Sequence, residues 1–358
     1  MNRFIETLRA SGYRQFYLAF GEANFRKQDW PAGAQGLTGQ LLDLVKLFML
    51  QEPVPRKRAA ALLGLELLAE FIKCGILLEQ KGELISNSFY LLCCRSQAFF
   101  CQMNAHPMAY FGDDSVALAT LQTPAPGGKV LDLCCGPGIQ SFVASAHAAE
   151  VTGVEIRQET WAIAELNRRL NGLSGRVKFV CDSAEGFARA NSELYDRILF
   201  NPPLVPMVPG YKFAFVGNGG PDGLAVTRRI IKLYHRRISK LGSIEFIGMG
   251  LGRKDRPVVC DQIKAIARQH NLGGRVHLLS QHPIRPFAPL FESCVSNLAR
   301  DNGLDAIQAR KILGEHFARL KLDAYWLFFA SLNRLPGDRN KTVATVDLTK
   351  SFWGSWFV

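Results

Sequence analysis

The sequence predicts an α/β fold built on a doubly wound parallel sheet, with a mainly helical region in front of it. From residue 129 onward, short apolar runs alternate with segments of helical periodicity, which is typical of parallel strands with helices on both faces. A Gly-Pro-Gly turn follows the first run, and acids or an Asn-Pro-Pro turn follow later ones. We predict strands over residues 130–133, 150–154, 177–180, 197–200, 243–248, 276–280 and 325–331.

The first 110 residues are predicted to be mainly helical. Apolar spacing predicts helices over 41–48, 56–63 and 65–74, followed by a hairpin that turns at Lys81-Gly82. This order favours a winged-helix-like domain that serves as a cap or dimerisation surface, and a homodimer stays open. We expect domains over 1–110 and 111–358, with a helical insertion at 284–323. The aromatic tail at 352–357 is expected to pack on this chain or a partner chain.

Composition narrows the function classes. Hydrophobic residues make up 48% and charged residues 21%, as in an ordinary globular protein. No apolar run reaches the ~18–20 residues of a membrane span, and the first residues lack a signal-peptide core, so we expect a cytoplasmic protein without a membrane partner. The nine cysteines form no Cys-x-x-Cys pair, so no metal site is expected. The net charge of +12 is spread along the chain, so nucleic acid is not favoured as a partner.

The first predicted strand and its glycine turn indicate a ligand-binding edge. Parallel sheets bind ligands beyond the carboxyl ends of their strands. Gly136 and Gly138 let a ligand approach the backbone, and Cys134 belongs to the same turn. Asp132 lies inside the strand and can fix the turn or contact the ligand through water. A dinucleotide cofactor would require a third glycine where this chain has Ser141.

Two later strands also end in acids. Glu155 ends the second strand, where a carboxylate can accept hydrogen bonds from both hydroxyls of a ribose. Asp182 follows the third strand and can accept from an adenine amino group, with Ser183 as a neighbouring donor. Because the three acids follow consecutive strands, we expect all of them to contact one nucleotide-like ligand.

The fourth strand ends in Asn201-Pro202-Pro203-Leu204, the most specific signal in the chain. Proline cannot continue a central strand, so the chain must leave the sheet there. The Asn201 side chain and the Pro202 carbonyl can then accept hydrogen bonds from a substrate N–H₂ group. These bonds would aim the nitrogen lone pair at an electrophilic carbon, and an already activated methyl group needs little more than positioning.

Residues 111–250 resemble class I S-adenosylmethionine-dependent methyltransferases of the "methyltransferase small" type. That group includes release-factor glutamine methyltransferases and ribosomal-RNA guanine N2-methyltransferases. The Asn-Pro-Pro turn resembles their catalytic motif, Gly219-Gly220-Pro221-Asp222-Gly223-Leu224 the segment after it, and Asp113-Asp114-Ser115 the segment that borders the cofactor. The resemblance implies a Rossmann-like, seven-stranded methyltransferase sheet with S-adenosyl-L-methionine as cofactor. It implies cofactor binding by Gly136, Gly138, Glu155 and Asp182, and acceptor orientation by Asn201 and Pro202.

The acceptor is less defined. The resembling families place Tyr or Phe where this chain has Leu204, which favours N-methylation of a small-molecule amine or amide over stacking on a planar group. Tyr211 or Phe213 of the following loop could replace that ring. We predict that the substrate contacts Tyr110, Phe111, Leu204 and Tyr211.

Three alternatives stay open. The first is a cyclase or lyase of secondary metabolism, of the azetidine-2-carboxylate synthase type, which consumes S-adenosylmethionine and releases methylthioadenosine. The second is a methyltransferase that acts on an RNA base or a protein glutamine. The third is a winged-helix DNA-binding regulator with a degenerate cofactor domain, which the intact Asn-Pro-Pro turn disfavours.

Overall fold

The computed structural model describes residues 1–20, 29–95, 97–104, 106–334 and 342–350. The aromatic segment 352–357 lies outside the described residues. The first part of the chain contains six helices, a π-helical turn at Lys46–Leu50 and five strands among the residues described. They are α1 Asn2–Ala10, α2 Tyr13–Phe20, α3 Trp30–Gly33, α4 Gly39–Val45, β1 Val54–Pro55, α5 Arg56–Leu63, α6 Leu65–Lys73, β2 Leu77–Gln80, β3 Glu83–Ser86, β4 Phe89–Cys94 and β5 Gln97–Gln102.

The helices and the hairpin predicted for this part are present. Gly64, at φ +79°, separates α5 from α6, and the β2–β3 turn places Lys81 and Gly82 at positive φ. The short strand β1 pairs with β3, so the hairpin belongs to a three-stranded sheet. The winged-helix assignment stays a prediction.

The second part alternates strands and helices. Its elements are α7 Asp113–Leu121, β6 Lys129–Leu133, α8 Ile139–Ala144, β7 Glu150–Glu155, α9 Gln158–Leu170, β8 Val177–Cys181, α10 Ala184–Ala190, β9 Tyr195–Phe200, α11 Ala225–Tyr234, β10 Ile238–Gly252, α12 Val258–Gln269, β11 Leu272–Pro283, α13 Pro289–Asn302, α14 Ala306–Leu320, β12 Ala324–Arg334 and β13 Val343–Asp347.

These strands form one sheet in the order β13-β11-β12-β10-β9-β6-β7-β8. Strands β6 to β10 run parallel, and β12 is antiparallel to both of its neighbours. The doubly wound, Rossmann-like sheet is confirmed, with all seven predicted strands. An eighth strand, β13, pairs in parallel with β11 at the edge, and it was not predicted because only Val343 of its five residues is buried, so it has no apolar run. The carboxyl ends of β6, β7, β8 and β9 meet at one edge.

The N-terminal part shares its core with one face of this sheet. The rings of Phe4, Phe48 and Phe71 surround Phe100 of β5, and the same buried cluster continues to Phe142 of α8. The predicted boundary at residue 110 therefore crosses a continuous core, and the division into two domains stays a prediction.

Two asparagine side chains, one in α9 and one directly after it, hydrogen-bond to strand β5. Asn167 accepts from the Phe100 N–H at 2.7 Å and donates to the Phe100 carbonyl at 3.0 Å, and Asn171 does the same for Ala98 at 3.0 and 2.7 Å. These carboxamides take the place of a neighbouring strand for β5. Asn167 also donates to the Pro137 carbonyl at 3.0 Å, so the same residue supports the glycine turn.

Helices α13 and α14 form a pair inserted between β11 and β12. They bury Phe291, Leu298 and Phe317 in a cluster that also contains Leu204 and Val208, which follow the Asn-Pro-Pro turn. The inserted pair therefore packs against the loop beside the predicted site. In the part of the chain that the structure describes, no helix is both long and apolar enough to cross a membrane.

Candidate active site

A cavity of about 460 Å³ opens at the carboxyl ends of β6, β7, β8 and β9. It lies where parallel sheets place their ligands. Six of the residues predicted from the sequence line it, and they come from four strand ends and one preceding loop. These are Tyr110, Cys134, Gly136, Glu155, Asp182 and Asn201.

The glycine turn after β6 forms one wall of this cavity. Cys134 and Gly136 adopt φ +56° and +54°, so the chain bends sharply over the sheet edge. A Cβ at Gly136 would lie 3.9 Å from the nearest atom, the Tyr110 carbonyl oxygen, so the space over this residue is open. A Cβ at Gly138 would lie 2.7 Å from the Phe179 ring. Gly138 therefore allows the turn to pack on the core, and its contact with a ligand stays a prediction.

Asp132 lies under the turn, fully buried. Its Oδ2 accepts from the Ser141 N–H at 3.0 Å and from the Ser141 hydroxyl at 2.7 Å. Its Oδ1 has no hydrogen-bond partner among the described residues. Burial raises the pKa of this carboxyl to about 7. Asp132 does not itself line the cavity, so the predicted contact through water suits its position.

Glu155 closes the next strand and is 7% exposed. Its two oxygens accept from the Gly136 N–H at 3.1 Å and the Arg157 N–H at 3.0 Å. Burial raises the pKa of this carboxyl, and the two backbone donors oppose the rise. Each oxygen keeps a further lone pair, so two vicinal hydroxyls can bind here at the same time.

Asp182 and Ser183 follow β8 in different roles. Asp182 lines the cavity, and its Oδ1 accepts from the Ser183 N–H at 2.7 Å. The Ser183 hydroxyl accepts from the Gly186 N–H at 2.9 Å and caps α10. Ser183 is outside the cavity lining, so its predicted contact with the ligand stays untested. Ile156, an apolar side chain that is 54% exposed, also lines the cavity.

These residues fit S-adenosylmethionine. The Glu155 carboxylate suits a ribose diol, Asp182 suits an amino group, and the exposed Ile156 offers an apolar surface to a purine. Asp132, whose Oδ1 is unpaired among the described residues, would supply negative charge under the turn for an ammonium group when it is ionised. The described residues contain no group of three or more His, Cys, Asp or Glu side chains that could hold a metal ion.

Asn201 projects from the end of β9 into the same cavity. Its Nδ2 donates to Asp114 Oδ2 at 3.1 Å and to the Ser115 hydroxyl at 3.3 Å. Its Oδ1 has no partner in the part of the chain that the structure describes. The carboxamide oxygen is therefore a buried acceptor that the described residues leave unsatisfied. Pro202 is buried, and Pro203 is the proline that lines the cavity.

The hydrogen bond between Asp114 and Asn201 was not predicted from the sequence. The segment of Asp114 was expected to border the cofactor, and the structure places the Asp114 carboxylate against Asn201. Asp114 Oδ1 also accepts from the Tyr110 hydroxyl at 2.9 Å and from the Ser115 N–H at 2.8 Å. Burial raises its pKa, while these donors and Asn201 oppose the rise. The sequence carried no signal for the contact, because 87 positions separate the two residues.

Of the four predicted substrate contacts, only Tyr110 lines the cavity. Phe111 is 3% exposed and packs edge-on against Phe99, with ring centroids 4.8 Å apart. Leu204 is 6% exposed and joins the core under the inserted helices. Tyr211 is on the surface, outside the lining. The expectation of a small aliphatic acceptor depended on Leu204, and it loses that support because this side chain faces the core.

The loop after the Asn-Pro-Pro turn supplies two rings to the cavity, that of Phe213, which the sequence offered as a replacement ring, and that of Phe215, which was not predicted. The glycine-rich segment 219–224, which follows this loop, packs closely against the backbone near the Asn-Pro-Pro turn. A Cβ at Gly219 would lie 2.6 Å from the Leu204 carbonyl carbon, and one at Gly223 would lie 2.1 Å from the Met249 carbonyl oxygen. Side chains at these two positions would push the loop away from the turn.

The end of α13 holds the loops on two sides of the cavity. Asn302 accepts from the Lys212 N–H at 2.9 Å and donates to the Lys212 carbonyl at 3.0 Å. On the other side, His106 Nε2 lies 3.0 Å from Asp301 Oδ1 and 2.9 Å from Arg300 Nε. The end of α13 thus bonds to two segments that lead to Met108 and Phe213, which line the cavity.

Residues 113–209 match the family described as the methyltransferase small domain. Over 136 residues the chain is 34% identical to the ribosomal protein uL3 glutamine methyltransferase of Bradyrhizobium diazoefficiens, covering 35% of this chain and 41% of that protein. Over 148 residues it is 34% identical to a 23S rRNA (uracil(747)-C(5))-methyltransferase of Pyrococcus abyssi, covering 39% of this chain and 34% of that one. The chain thus spans less than half the length of either relative.

A solved structure of a SAM-dependent methyltransferase from Agrobacterium tumefaciens superposes with a TM-score of 0.40 at 16% identity, covering 75% of this chain and 80% of that one. The predicted resemblance to the methyltransferase small type is confirmed by the family match over 113–209, and with it S-adenosylmethionine as the cofactor.

Proposed function

We propose that this chain, whose residues 113–209 form a class I methyltransferase small domain, transfers a methyl group from S-adenosylmethionine to a carboxamide or amino nitrogen. One observation supports nitrogen as the atom that accepts the methyl group. The Asn201 carboxamide is tied through its Nδ2, and its Oδ1, a buried atom of a residue that lines the cavity, has no hydrogen-bond partner among the described residues. An unpaired acceptor at the reacting end of a site selects a substrate that brings an N–H donor.

The residues on one side of the cavity bind and orient the cofactor. S-adenosylmethionine supplies a methyl group on a positively charged sulfur, so the activation comes with the cofactor. Glu155 would accept from the ribose hydroxyls, Asp182 would accept from the adenine amino group, and Asp132, when ionised, would provide negative charge beneath the glycine turn. These contacts would hold the cofactor at the carboxyl ends of β6, β7 and β8.

The acceptor side positions the nitrogen. Asn201 Oδ1 and the Pro202 carbonyl would accept hydrogen bonds from the two N–H groups of the acceptor and so hold its nitrogen in place. Transfer would form the N–CH3 bond as the S–CH3 bond breaks, release S-adenosylhomocysteine and pass one N–H proton to water. Burial raises the pKa of the Cys134 and Cys135 thiols, so neither is a thiolate at neutral pH. We therefore favour direct transfer to nitrogen without a covalent enzyme intermediate.

The proposed acceptor is a glutamine carboxamide of a protein. The Bradyrhizobium relative is named for methylating such a glutamine. Several other relatives are named for methylating C5 of uracil, and a carbon presents no N–H for Asn201 to accept. Phe213 and Phe215 add aromatic surface to the cavity, which suits a planar amide.

An acceptor screen tests this proposal. The purified chain is incubated with S-adenosylmethionine that carries a deuterated methyl group and is offered, separately, glutamine-containing peptides from ribosomal proteins, ribosomal RNA and small primary amides. Mass spectrometry is expected to show the label on peptide. Label on RNA or on small amides alone would contradict the glutamine assignment. Methylthioadenosine released without any acceptor would support the cyclase alternative and contradict methyl transfer.

A further inference from the structure

We infer that Asp114 is a positioning residue that fixes the Asn201 carboxamide with its oxygen toward the acceptor. The inference deepens the proposed function and rests on it for its kinetic test. Asp114 belongs to α7, which precedes the first strand of the sheet, and Asn201 follows the fourth. The contact therefore joins two segments that only the fold brings together.

The orientation of the carboxamide follows from donor and acceptor chemistry. An ionised carboxylate has only acceptor atoms, so the amide atom that faces Asp114 Oδ2 at 3.1 Å must be Nδ2. The Ser115 hydroxyl, 3.3 Å from the same nitrogen, accepts the second N–H. With both N–H bonds engaged, Oδ1 is the atom left for the substrate.

The Asp114 carboxylate is itself held in place. Its Oδ1 accepts from the Tyr110 hydroxyl at 2.9 Å and from the Ser115 N–H at 2.8 Å, and the residue is 7% exposed. Rotation of the carboxylate would break both bonds in a buried site, which is costly. The carboxylate therefore serves as a rigid support for the Asn201 amide.

A neutral amide in place of Asp114 would remove the preference for one orientation of the Asn201 carboxamide. An amide at 114 can present either its oxygen or its N–H₂ group to Asn201, so the Asn201 carboxamide can turn over. The turned form aims N–H₂ at the N–H₂ of the acceptor, and two donors repel. The acceptor nitrogen would then lose its orientation while the cofactor contacts at Glu155 and Asp182 stay intact.

The kinetic test compares Asp114→Asn with Glu159→Gln. Glu159 is an exposed carboxyl in the first turn of α9, outside the cavity lining and outside the hydrogen bonds to Asn201. We expect Asp114→Asn to lower kcat about 10- to 100-fold, the size of a lost hydrogen bond to a charged group, with the Kd of S-adenosylmethionine within about twofold of wild type. Glu159→Gln should leave both constants unchanged.

A double-variant cycle separates positioning from a direct role. If Asp114 acts through Asn201, adding Asp114→Asn to Asn201→Ala should change kcat by less than about twofold. Equal effects of Asp114→Asn in the wild-type and Asn201→Ala backgrounds would overturn the inference. So would a matching loss of cofactor affinity, since that indicates general damage to the fold.

A spectroscopic measurement keeps the inference testable without turnover. In asparagine-labelled protein, the side-chain amide protons of Asn201, assigned by their loss in Asn201→Ala, should exchange slowly with solvent. Asp114→Asn should accelerate this exchange and shift the resonances, while Glu159→Gln should not. Unchanged resonances in Asp114→Asn would overturn the inference. Absence of methyl transfer with slow, Asp114-dependent exchange would contradict only the proposed function.

Discussion

The two sides of the cavity are assembled differently. The cofactor side consists of short turns that directly follow β6, β7 and β8, and each of its polar groups is within a few residues of a strand end. The acceptor side joins distant segments. Asn201 meets Asp114 across 87 positions, Lys212 meets Asn302 across 90, and His106 meets Arg300 across 194. Local construction suits a cofactor that is the same throughout a family, and long-range construction lets the acceptor site vary with the inserted elements.

This difference predicts that changes on the two sides separate binding from turnover. Asn201→Ala should lower kcat about 100-fold or more, because the substrate N–H₂ loses its orienting acceptor. The Kd of S-adenosylmethionine, measured by calorimetry, should stay within about threefold of wild type, since the cofactor contacts lie on other strand ends. Equal losses in turnover and cofactor affinity would contradict the separation.

Glu155→Ala should give the opposite pattern. The ribose loses a charged acceptor, so the Kd of S-adenosylmethionine should rise about 10- to 100-fold. Turnover at saturating cofactor should fall much less. Glu159→Ala, which removes an exposed carboxyl from the first turn of α9, is the matched control and should bind the cofactor as wild type does. An unchanged Kd for Glu155→Ala would contradict the assignment of Glu155 as the residue that binds the ribose.

Cofactor binding should also depend on pH through Asp132. Because burial raises the pKa of this carboxyl to about 7, it is mostly neutral at pH 6 and mostly ionised at pH 8. The ionised form attracts the ammonium group of the cofactor, so the Kd should be about three- to tenfold lower at pH 8 than at pH 6. The cofactor-free protein should lose stability as the pH rises from the ordinary aspartate pKa of 3.8 to about 7 and change little above that, since a raised carboxyl pKa means that ionisation costs folding free energy.

Asp132→Asn is the control for this pH dependence. Burial also raises the pKa of Glu155, which adds to the same trend. A Kd that still falls as steeply between pH 6 and pH 8 in Asp132→Asn would assign the effect to Glu155. A flat profile in the variant would assign it to Asp132.

The smallest expected effect is at the inserted helices. Asn302→Ala removes both hydrogen bonds to Lys212, so the loop that carries Phe213 and Phe215 should become less well held. We expect the KM of the acceptor to rise about two- to tenfold, which matches one or two ordinary hydrogen bonds, with cofactor affinity unchanged. Ser293→Ala, at an exposed position of the same helix, should have no effect.

The same contrast explains how much the sequence could predict. The sheet, the glycine turn, Glu155, Asp182 and Asn201 follow from patterns within a few residues, because strand ends and turns are local features. The acceptor side of the cavity depends on tertiary packing, so local sequence patterns do not predict it. Leu204 was expected at the substrate, yet the chain turns at the two prolines and buries it. The rings that do line the cavity lie nine and eleven positions further along, at Phe213 and Phe215.

The central claim is that the unpaired oxygen of Asn201 selects a nitrogen as the methyl acceptor. The most direct test is to locate the transferred group in the product by tandem mass spectrometry, using S-adenosylmethionine with a deuterated methyl group and a glutamine-containing peptide. The account predicts the labelled methyl on the side-chain nitrogen with the wild-type protein and almost none with Asn201→Ala. A labelled methyl on carbon or sulfur, or equal labelling by the two proteins, would contradict it.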